Sequence, residues 1–515
     1  MKAKILYCIM MITGIISINS CSDEFLKISP ETNLTDAAFY KTESHFDLAL
    51  VAVYTPLRGI VYPGIFMDEM RADNAFFRYY IPDRGPANWI EDIIQWTDQS
   101  QTTQVNQRYY SDYSGISRAN IILTRIENAE ISDGAKRRIS GETLFLRAFY
   151  YFDLVTHYGG VPLYLEEVAD EASAYQSKSS AEEVYDQIIS DLQSAIPDLP
   201  AATTFPQSGR ATKGAAKMLL AKAYMSKASR QYTLAESELK DVINMNYALL
   251  DDYADVFDPV RKNHRETIFD IQYREGVDGQ QSTILYTMLP KTADTGILTG
   301  ISVSNTSPGG WNVPNQEFID SYEEGDLRLP VSVKIIEGTL NGGHPNFDPV
   351  VILAVRNVGD YTIEPDKVYY PFVSKFLHGP YTRPNNTGEN WPVFRYAETL
   401  LLLAECLVQQ GKSSEALPYL NQVRSRAGLA DLSQATLDDV VNELRYEFAF
   451  ENHRWTDLIR TGKAIEVMTA YGQRMKSQYD FLPANSYNVT ERRLVYPLPY
   501  RETQINPELE QNPGY

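Results

Sequence analysis

Residues 134–158, GAKRRISGETLFLRAFYYFDLVTHY, decide the fold class of this 515-residue chain. Apolar side chains occupy nearly every face of this segment at helical spacing, which predicts a central helix buried on all sides. Gly159-Gly160 and then Pro162 are typical of a helix end. Arg147 lies within the apolar stretch, so we expect it to be ion-paired or to extend its charged end towards solvent. A buried helix needs other helices to cover it.

Further helical patterns form a first block from about residue 35 to 250, which would cover the central helix. An irregular stretch near residues 60–105 interrupts this block. Ser180 with Glu183 forms a capping box, which predicts a helix start. The helices predicted in this block, besides residues 134–158, are 180–196, 212–228 and 231–246.

A second helical block covers about residues 393–470. Its predicted helices are FRYAETLLLLAECLVQQ (394–410), SSEALPYLNQVRSRAG (413–428) and LDDVVNELRYEFAFENHRWTDLIRTG (437–462). Paired helices with short turns are typical of tetratricopeptide-like hairpins, which bury their faces only against neighbouring hairpins. The spacing is not a strict 34-residue repeat. We therefore predict a mainly α fold with a tetratricopeptide-like scaffold.

Between the blocks the chain changes character. Residues 276–390 carry 13 of the 29 glycines, and Pro330–Ile336 alternates as a strand would. We predict a loop-rich mixed α/β insert on the helical scaffold, with ligand-facing regions at about 61–104 and 255–391. Loops on a rigid scaffold commonly carry binding surfaces.

The N-terminus predicts a lipoprotein signal peptide over residues 1–20. Lys2 and Lys4 precede a short apolar run, and Ile18-Asn19-Ser20-Cys21 resembles a bacterial lipobox, in which the cysteine is acylated. The following Ser22-Asp23-Glu24 is similar to a signal for export to the cell surface. Cys8 would leave with the signal peptide and Cys406 lies alone in an apolar helix, so no disulfide is expected. We therefore expect residues 21–515 to form one domain, anchored to the outer membrane through Cys21 and facing the exterior.

Composition excludes several partner classes. The net charge is −20, and loss of residues 1–20 with their two lysines makes it −22. Nucleic acid or anionic lipid as the main partner would require a basic face, so neither is expected. An apolar content of 43% with 22% charged residues is that of a globular protein.

Six stretches in order resemble the SusD/RagB family from the lipobox to the last residue. They are Cys21–Leu26 with Ile28–Pro30, Leu146–Leu154 with Tyr158–Leu163, Gly209–Lys213, Arg395–Glu398 with Ala404-Glu405, Glu451–Arg460, and the tail with Tyr496–Pro499 and Gln511–Tyr515. The resemblance implies a tetratricopeptide-like scaffold, an extended tail over residues 490–515, no catalysis and no cofactor. It also implies a SusC-type TonB-dependent transporter as partner, over which the lipoprotein acts as a hinged lid.

Paired carboxylates near residue 450 would fit a glycosidase, because that class of enzyme uses two carboxyl groups. Glu451 with Arg454 and Asp457 with Arg460 are three residues apart on one predicted helix, so we interpret them as local ion pairs. The six histidines show no metal-binding spacing, and no metal site is expected.

Sugar binding requires flat aromatic rings that cover the apolar face of a pyranose. Residues 73–113 hold nine aromatic side chains, including Tyr80, Trp89 and Trp96. The resemblance suggests Asp73, Asn74 and Arg78 beside this site and Trp311 in a second loop. We expect at least one of Trp89 and Trp96 to stack on sugar, whereas Trp391 and Trp455 should be packing residues.

The predicted function is capture of a polysaccharide or oligosaccharide at the cell surface and its delivery to the transporter. Alternatives are capture of peptides, as in RagB-like proteins, a glycoside hydrolase or lyase, and a helical adaptor without a small ligand. The sequence is compatible with starch, fructan, host glycans or algal polysaccharides as the glycan. Strong acidity disfavours a polyanion, although arginines such as Arg71, Arg78 and Arg84 would favour one locally.

Overall fold

A computed structural model describes residues 39–77, 88–307, 309–342 and 348–515. Cys21, Arg78, Tyr80 and Arg84 lie outside the described residues. The main helices are α1 (Glu43–Tyr54), α2 (Leu57–Gly64), α3 (Asn88–Ile94), α4 (Thr103–Ile126), α5 (Asp133–Tyr158), α6 (Ala181–Ala195), α7 (Lys213–Ser226), α8 (Tyr232–Ile243), α9 (Tyr396–Gln409), α10 (Ser413–Arg426), α11 (Leu437–Glu447), α12 (Arg454–Arg460) and α13 (Ala464–Gln478). The strands are β1 (Ala75–Phe76), β2 (Thr267–Ile271), β3 (Val313–Pro314), β4 (Val333–Leu340), β5 (Val350–Asn357), β6 (Val368–Val373) and β7 (Trp391–Arg395).

Helix α5 is the predicted central helix. The Ser132 side chain accepts a hydrogen bond from the Ala135 backbone N–H at its start, and Gly159, with φ of 72°, ends it. Helices α4 and α6 pack along it and bury its apolar side chains. Arg147 forms a two-pronged ion pair with Asp191 of α6 at 2.8 Å, so its predicted pairing is confirmed.

Helical hairpins continue from α5 as the sequence predicts. The capping box of Ser180 and Glu183 opens α6, and α7 packs antiparallel to α8. Helix α8 also packs against α9, so the two helical blocks form one scaffold. Cys406 is buried in α9 as a free thiol.

Two predicted helix boundaries are wrong. Residues 437–462 do not form one helix, because Phe450 and Asn452 adopt left-handed φ values of 66° and 63° between α11 and α12. Residues 61–70 are helical rather than irregular, since α2 runs directly into a π-helical turn over Ile65–Met70. By length and composition, the helical residues 43–70 could cross a membrane, but half of their most apolar stretch is buried within the fold.

The described strands form three antiparallel sheets: β1 with β3, β2 with β7, and the three-stranded sheet β5-β4-β6; of these strands, β1 lies outside the insert. The strand predicted at residues 330–336 begins only at Val333, because Leu329–Ser332 forms a helical turn. The sheet has its own small core that includes Leu285, Tyr286 and Phe372. Strands β2 and β7 tie the insert to the start of α9. The C-terminal tail is only partly extended, because it contains a helix at Tyr500–Ile505.

Candidate functional site

The five tryptophans differ sharply in exposure. Trp89 is 39% exposed at the start of α3, and Trp311 is partly exposed in the loop before β3. Trp391 and Trp455 are buried, which confirms their predicted packing role. Only Trp89 and Trp311 can therefore offer a ring face to a ligand.

Trp96 is buried, with 1% of its surface exposed, so the prediction that at least one of Trp89 and Trp96 stacks on sugar now depends on Trp89. The Arg71 guanidinium lies 4.1 Å from the centre of the Trp96 ring, and Trp455 contacts the ring edge-on at 5.2 Å. The indole N–H donates to the Arg71 carbonyl at 3.3 Å. Arg71 is itself buried and ion-paired with Asp98, so it cannot attract a polyanion.

Asp73 and Asn74 are also buried, and the prediction that they contact glycan is wrong. Asp73 receives two hydrogen bonds from Arg454, at 2.8 and 3.1 Å, and an ion pair from Arg445 at 2.9 Å. Burial alone would raise the pKa of the Asp73 carboxyl, but Arg445 and Arg454 outweigh it and hold the pKa below its ordinary value. Asn74 donates to Glu69 and accepts from Arg445. These residues brace the backbone just before β1.

An aromatic surface lies where β1 meets β3. We call it the aromatic ledge; its residues are Phe76, Phe77, Trp311, Tyr479 and Phe481. Phe77 stacks on Trp311 with ring centres 5.7 Å apart, and Phe76 stacks on Tyr479 at 5.2 Å. Phe76 and Phe77 contact each other at 4.8 Å, as do Tyr479 and Phe481 at 5.3 Å. The rings thus form one continuous apolar cluster, in which Phe76 and Phe77 are buried and Trp311, Tyr479 and Phe481 are partly exposed.

Backbone contacts hold Trp311 in this position. Its N–H donates to the Thr287 carbonyl at 3.1 Å, and the left-handed φ of Gly310 and Asn312 turns the chain sharply on both sides. Phe66 supports the ring edge-on from the π-helical turn. Helix α3, which carries Trp89, packs on the same turn, so Trp89 and the ledge share one rigid support.

Tyr479 and Phe481 were not predicted as site residues. They follow α13, just over 400 residues beyond Phe77 in the chain, and two aromatic residues separated by one position are too common a pattern to indicate a site alone. The only sequence signal was that both rings follow a helix end.

The aromatic run at residues 73–113 does not form one surface. Phe76 and Phe77 join the ledge and Trp96 enters the core, whereas Tyr109, Tyr110 and Tyr113 line a separate pocket on α4. The 24-residue helix α4 carries its tyrosines away from the ledge, because a rigid helix cannot fold back on the loop before it.

The carboxylates that favoured a glycosidase are buried and paired. Glu447 and Glu451 are 0% and 2% exposed, and both bind Arg395 at 2.9 Å. The predicted pair of Glu451 with Arg454 is wrong, because Arg454 binds Asp73 instead; that of Asp457 with Arg460 is confirmed at 2.6 Å. Burial would raise the pKa of Glu447, yet Arg426 and Arg395 hold it below its ordinary value. Both carboxylates are therefore engaged in ion pairs within the fold.

Metal ligation has no support in the described part of the chain, where no three His, Cys, Asp or Glu side chains gather as a possible metal site.

Family models match both ends of the chain. One described as "SusD family" matches residues 353–515, and one described as "Starch-binding associating with outer membrane" matches residues 24–225. SusD-like protein P38 from Formosa agariphila is 28% identical over 99% of this chain and 99% of its own length.

Solved structures share the fold. A laminarin binding SusD-like protein is 25% identical, with a TM-score of 0.73 over 92% of this chain and 100% of its own. Surface glycan-binding protein A from Bacteroides thetaiotaomicron, in complex with laminarihexaose, is 22% identical, with a TM-score of 0.72 over 92% of this chain and 100% of its own. The predicted mainly α scaffold with a mixed insert is therefore confirmed.

Proposed function

The chain belongs to the SusD/RagB family, and from this membership we propose that it is a cell-surface lipoprotein that captures an oligosaccharide on the aromatic ledge and Trp89. It would then pass the glycan to a SusC-like TonB-dependent transporter in the outer membrane. The observation that carries the proposal is the ledge itself, a set of mutually stacked rings with Trp311 partly open to solvent.

The physical basis is the apolar C–H face of a pyranose. Each ring that covers such a face removes roughly 50 Å² of apolar surface from water, which stabilises the complex by about 1 kcal/mol. Two or three stacked sugars contribute about 2–3 kcal/mol, so hydrogen bonds to the sugar hydroxyls must supply the rest of the free energy for a dissociation constant of about millimolar to micromolar. A protein that releases its ligand to a transporter requires affinity in this range rather than tighter binding.

The outer-membrane location is supported by the description of the matching family model and by the lipobox-like Ile18–Cys21. We expect a Cys21→Ala variant to leave the membrane fraction, because acyl chains provide the anchor. Cell fractionation with an antibody against the folded part would measure this. Persistence of the variant in washed outer membranes would contradict lipid anchoring.

A Trp311→Ala variant is expected to weaken glycan binding about tenfold or more, because it removes the ring that forms the open end of the ledge. Trp89→Ala should weaken binding by a similar factor. Calorimetric titration with laminarihexaose, and a glycan array if that sugar fails, would measure the change. A laminarin-binding relative motivates the first ligand.

Tyr419→Ala is a matched control, since Tyr419 is a partly exposed aromatic residue on the helical scaffold at α10. It should leave affinity unchanged. Unaltered affinity in both tryptophan variants would contradict the ledge as the binding site. Retention of the protein on a peptide library but on no glycan would contradict oligosaccharide capture in favour of peptide capture.

A further inference from the structure

A second pocket lies away from the ledge, between α4, residues 162–175 and the C-terminal helix Tyr500–Ile505. We call it the tyrosine pocket. Its cavity is about 340 Å³, which falls within the range of small-ligand sites. Its aromatic walls are Tyr109, Tyr110, Tyr113, Tyr164 and Tyr175.

Two pairs of the walls meet at nearly right angles, and a third, Tyr109 with Tyr113, at 48°. Tyr109 and Tyr110 are inclined by 84° with ring centres 6.1 Å apart, and Tyr113 and Tyr164 by 81° at 5.9 Å. Neighbouring perpendicular rings can bound a space on two sides, whereas the stacked pairs of the ledge cover each other's faces. The two sites therefore present different shapes to a ligand.

Hydrogen bonds to the backbone fix these rings. The Tyr113 hydroxyl donates to the Pro162 carbonyl at 2.8 Å, and the Tyr164 hydroxyl donates to the Ala174 carbonyl at 2.7 Å. Asn120, which is also buried, donates to the Tyr164 carbonyl. The pocket is thus formed before any ligand binds, which lowers the ordering cost of binding.

The charge at the pocket is negative. Among the described residues that line it, the charged ones are Glu166 and Glu502. Burial raises the pKa of Tyr110, and the negative charge of Glu502 raises it further. Burial and the Glu502 charge likewise raise the pKa of Tyr164. The Glu502 carboxylate therefore lies near several of the tyrosine rings. Arg501 also lies near Tyr110 but does not line the pocket.

Aromatic walls around a carboxylate favour a cation. The faces of tyrosine rings carry negative charge that attracts an ammonium group, and the attraction grows when water is excluded. A neutral sugar could donate hydroxyl hydrogen bonds to Glu166 and Glu502 but would lack the charge–charge attraction, while an anionic ligand would be repelled by both.

We propose that the tyrosine pocket binds the ammonium group of a hexosamine with a free amine, as a second site on the same glycan-binding protein. The inference rests on the proposed function, because it assumes that the cation arrives on an oligosaccharide. The ammonium group would lie among the rings next to Glu502, and the sugar ring would rest on Tyr110 and Tyr175, which are 39% and 37% exposed at the rim.

Titration calorimetry with a glucosamine tetrasaccharide tests the proposal, with its fully N-acetylated counterpart as the neutral probe. The amine form should bind, and the acetylated form should bind at least about tenfold more weakly, because acetylation removes the charge. Glu502→Gln and Tyr110→Ala should each weaken binding of the amine form by about tenfold or more. Glu508→Gln, an exposed change outside the pocket lining, is the matched control and should have no effect.

Equal binding of both tetrasaccharides, or unchanged affinity in both pocket variants, would overturn the proposal. A tetralysine peptide that binds the pocket while the amino sugar does not would also overturn it, since the cation would then come from protein. Melting temperatures check that the variants fold, and Tyr110 is exposed enough for its change to be tolerated. Trp311→Ala should leave amino-sugar binding intact, so loss of the ledge and loss of the pocket are separable results.

Discussion

Replacing Trp96 by alanine should lower the free energy of unfolding by about 3–5 kcal/mol, the usual cost of removing a large buried aromatic side chain. The ring fills the space between the Arg71 guanidinium and Trp455, and its N–H binds the Arg71 carbonyl. Its loss would leave a cavity and uncover one face of a buried cation. Arg71 also binds the Ile93 and Arg493 carbonyls, so the damage would extend to the C-terminal tail.

Urea unfolding followed by far-ultraviolet circular dichroism would measure this loss. Trp89→Ala is the matched control, because it removes the same side chain from a site that is 39% exposed and should cost far less stability. The two variants should therefore differ in effect: Trp96→Ala should lower stability, and Trp89→Ala should weaken glycan binding. Equal stability of the two variants would contradict the assignment of Trp96 to the core.

Replacing Arg395 by methionine should cost about 3–5 kcal/mol, because it leaves several buried carboxylates short of a partner. Arg395 is 1% exposed and binds Glu266, Glu447 and Glu451, each at 2.9 Å. It connects three parts of the chain: residue 266 before β2, the end of β7 and the break between α11 and α12. Removing it should loosen the insert from the scaffold.

The effect should also depend on pH. Glu447 has a folded-state pKa below the ordinary 4.5, so its ion pairs contribute stability above about pH 4.5, and that contribution is lost as pH falls through the folded pKa. The difference in unfolding free energy between wild type and Arg395→Met should therefore shrink as pH falls below about 4.5. Denaturant titrations at several pH values would measure it.

Arg261→Met provides the control, because Arg261 is 58% exposed and pairs with Asp255 on the surface. Such a pair contributes about 0–1 kcal/mol. If Arg261→Met and Arg395→Met destabilised equally, the buried network would not be what joins the insert to the scaffold.

Local sequence patterns determined several of the helices and their ends. The apolar run at residues 134–158, the glycines after it and the capping box at Ser180 all act within a few residues, so each predicted its element correctly. The family resemblance rests on short ordered motifs along the chain, and the comparisons confirmed it. Burial of Trp391 and Trp455 followed from their place beside apolar helices.

Only the tertiary structure decided which aromatic residues share a surface and which charges pair. Trp96 and Trp89 are seven residues apart, yet one is buried and the other exposed, because exposure depends on the segments that pack around each ring. Phe76 meets Tyr479, and Asp73 meets Arg454, across almost the whole length of the chain. Side-chain contacts of this kind carry no local sequence signal, since periodicity describes the face of one helix or strand and not its partner.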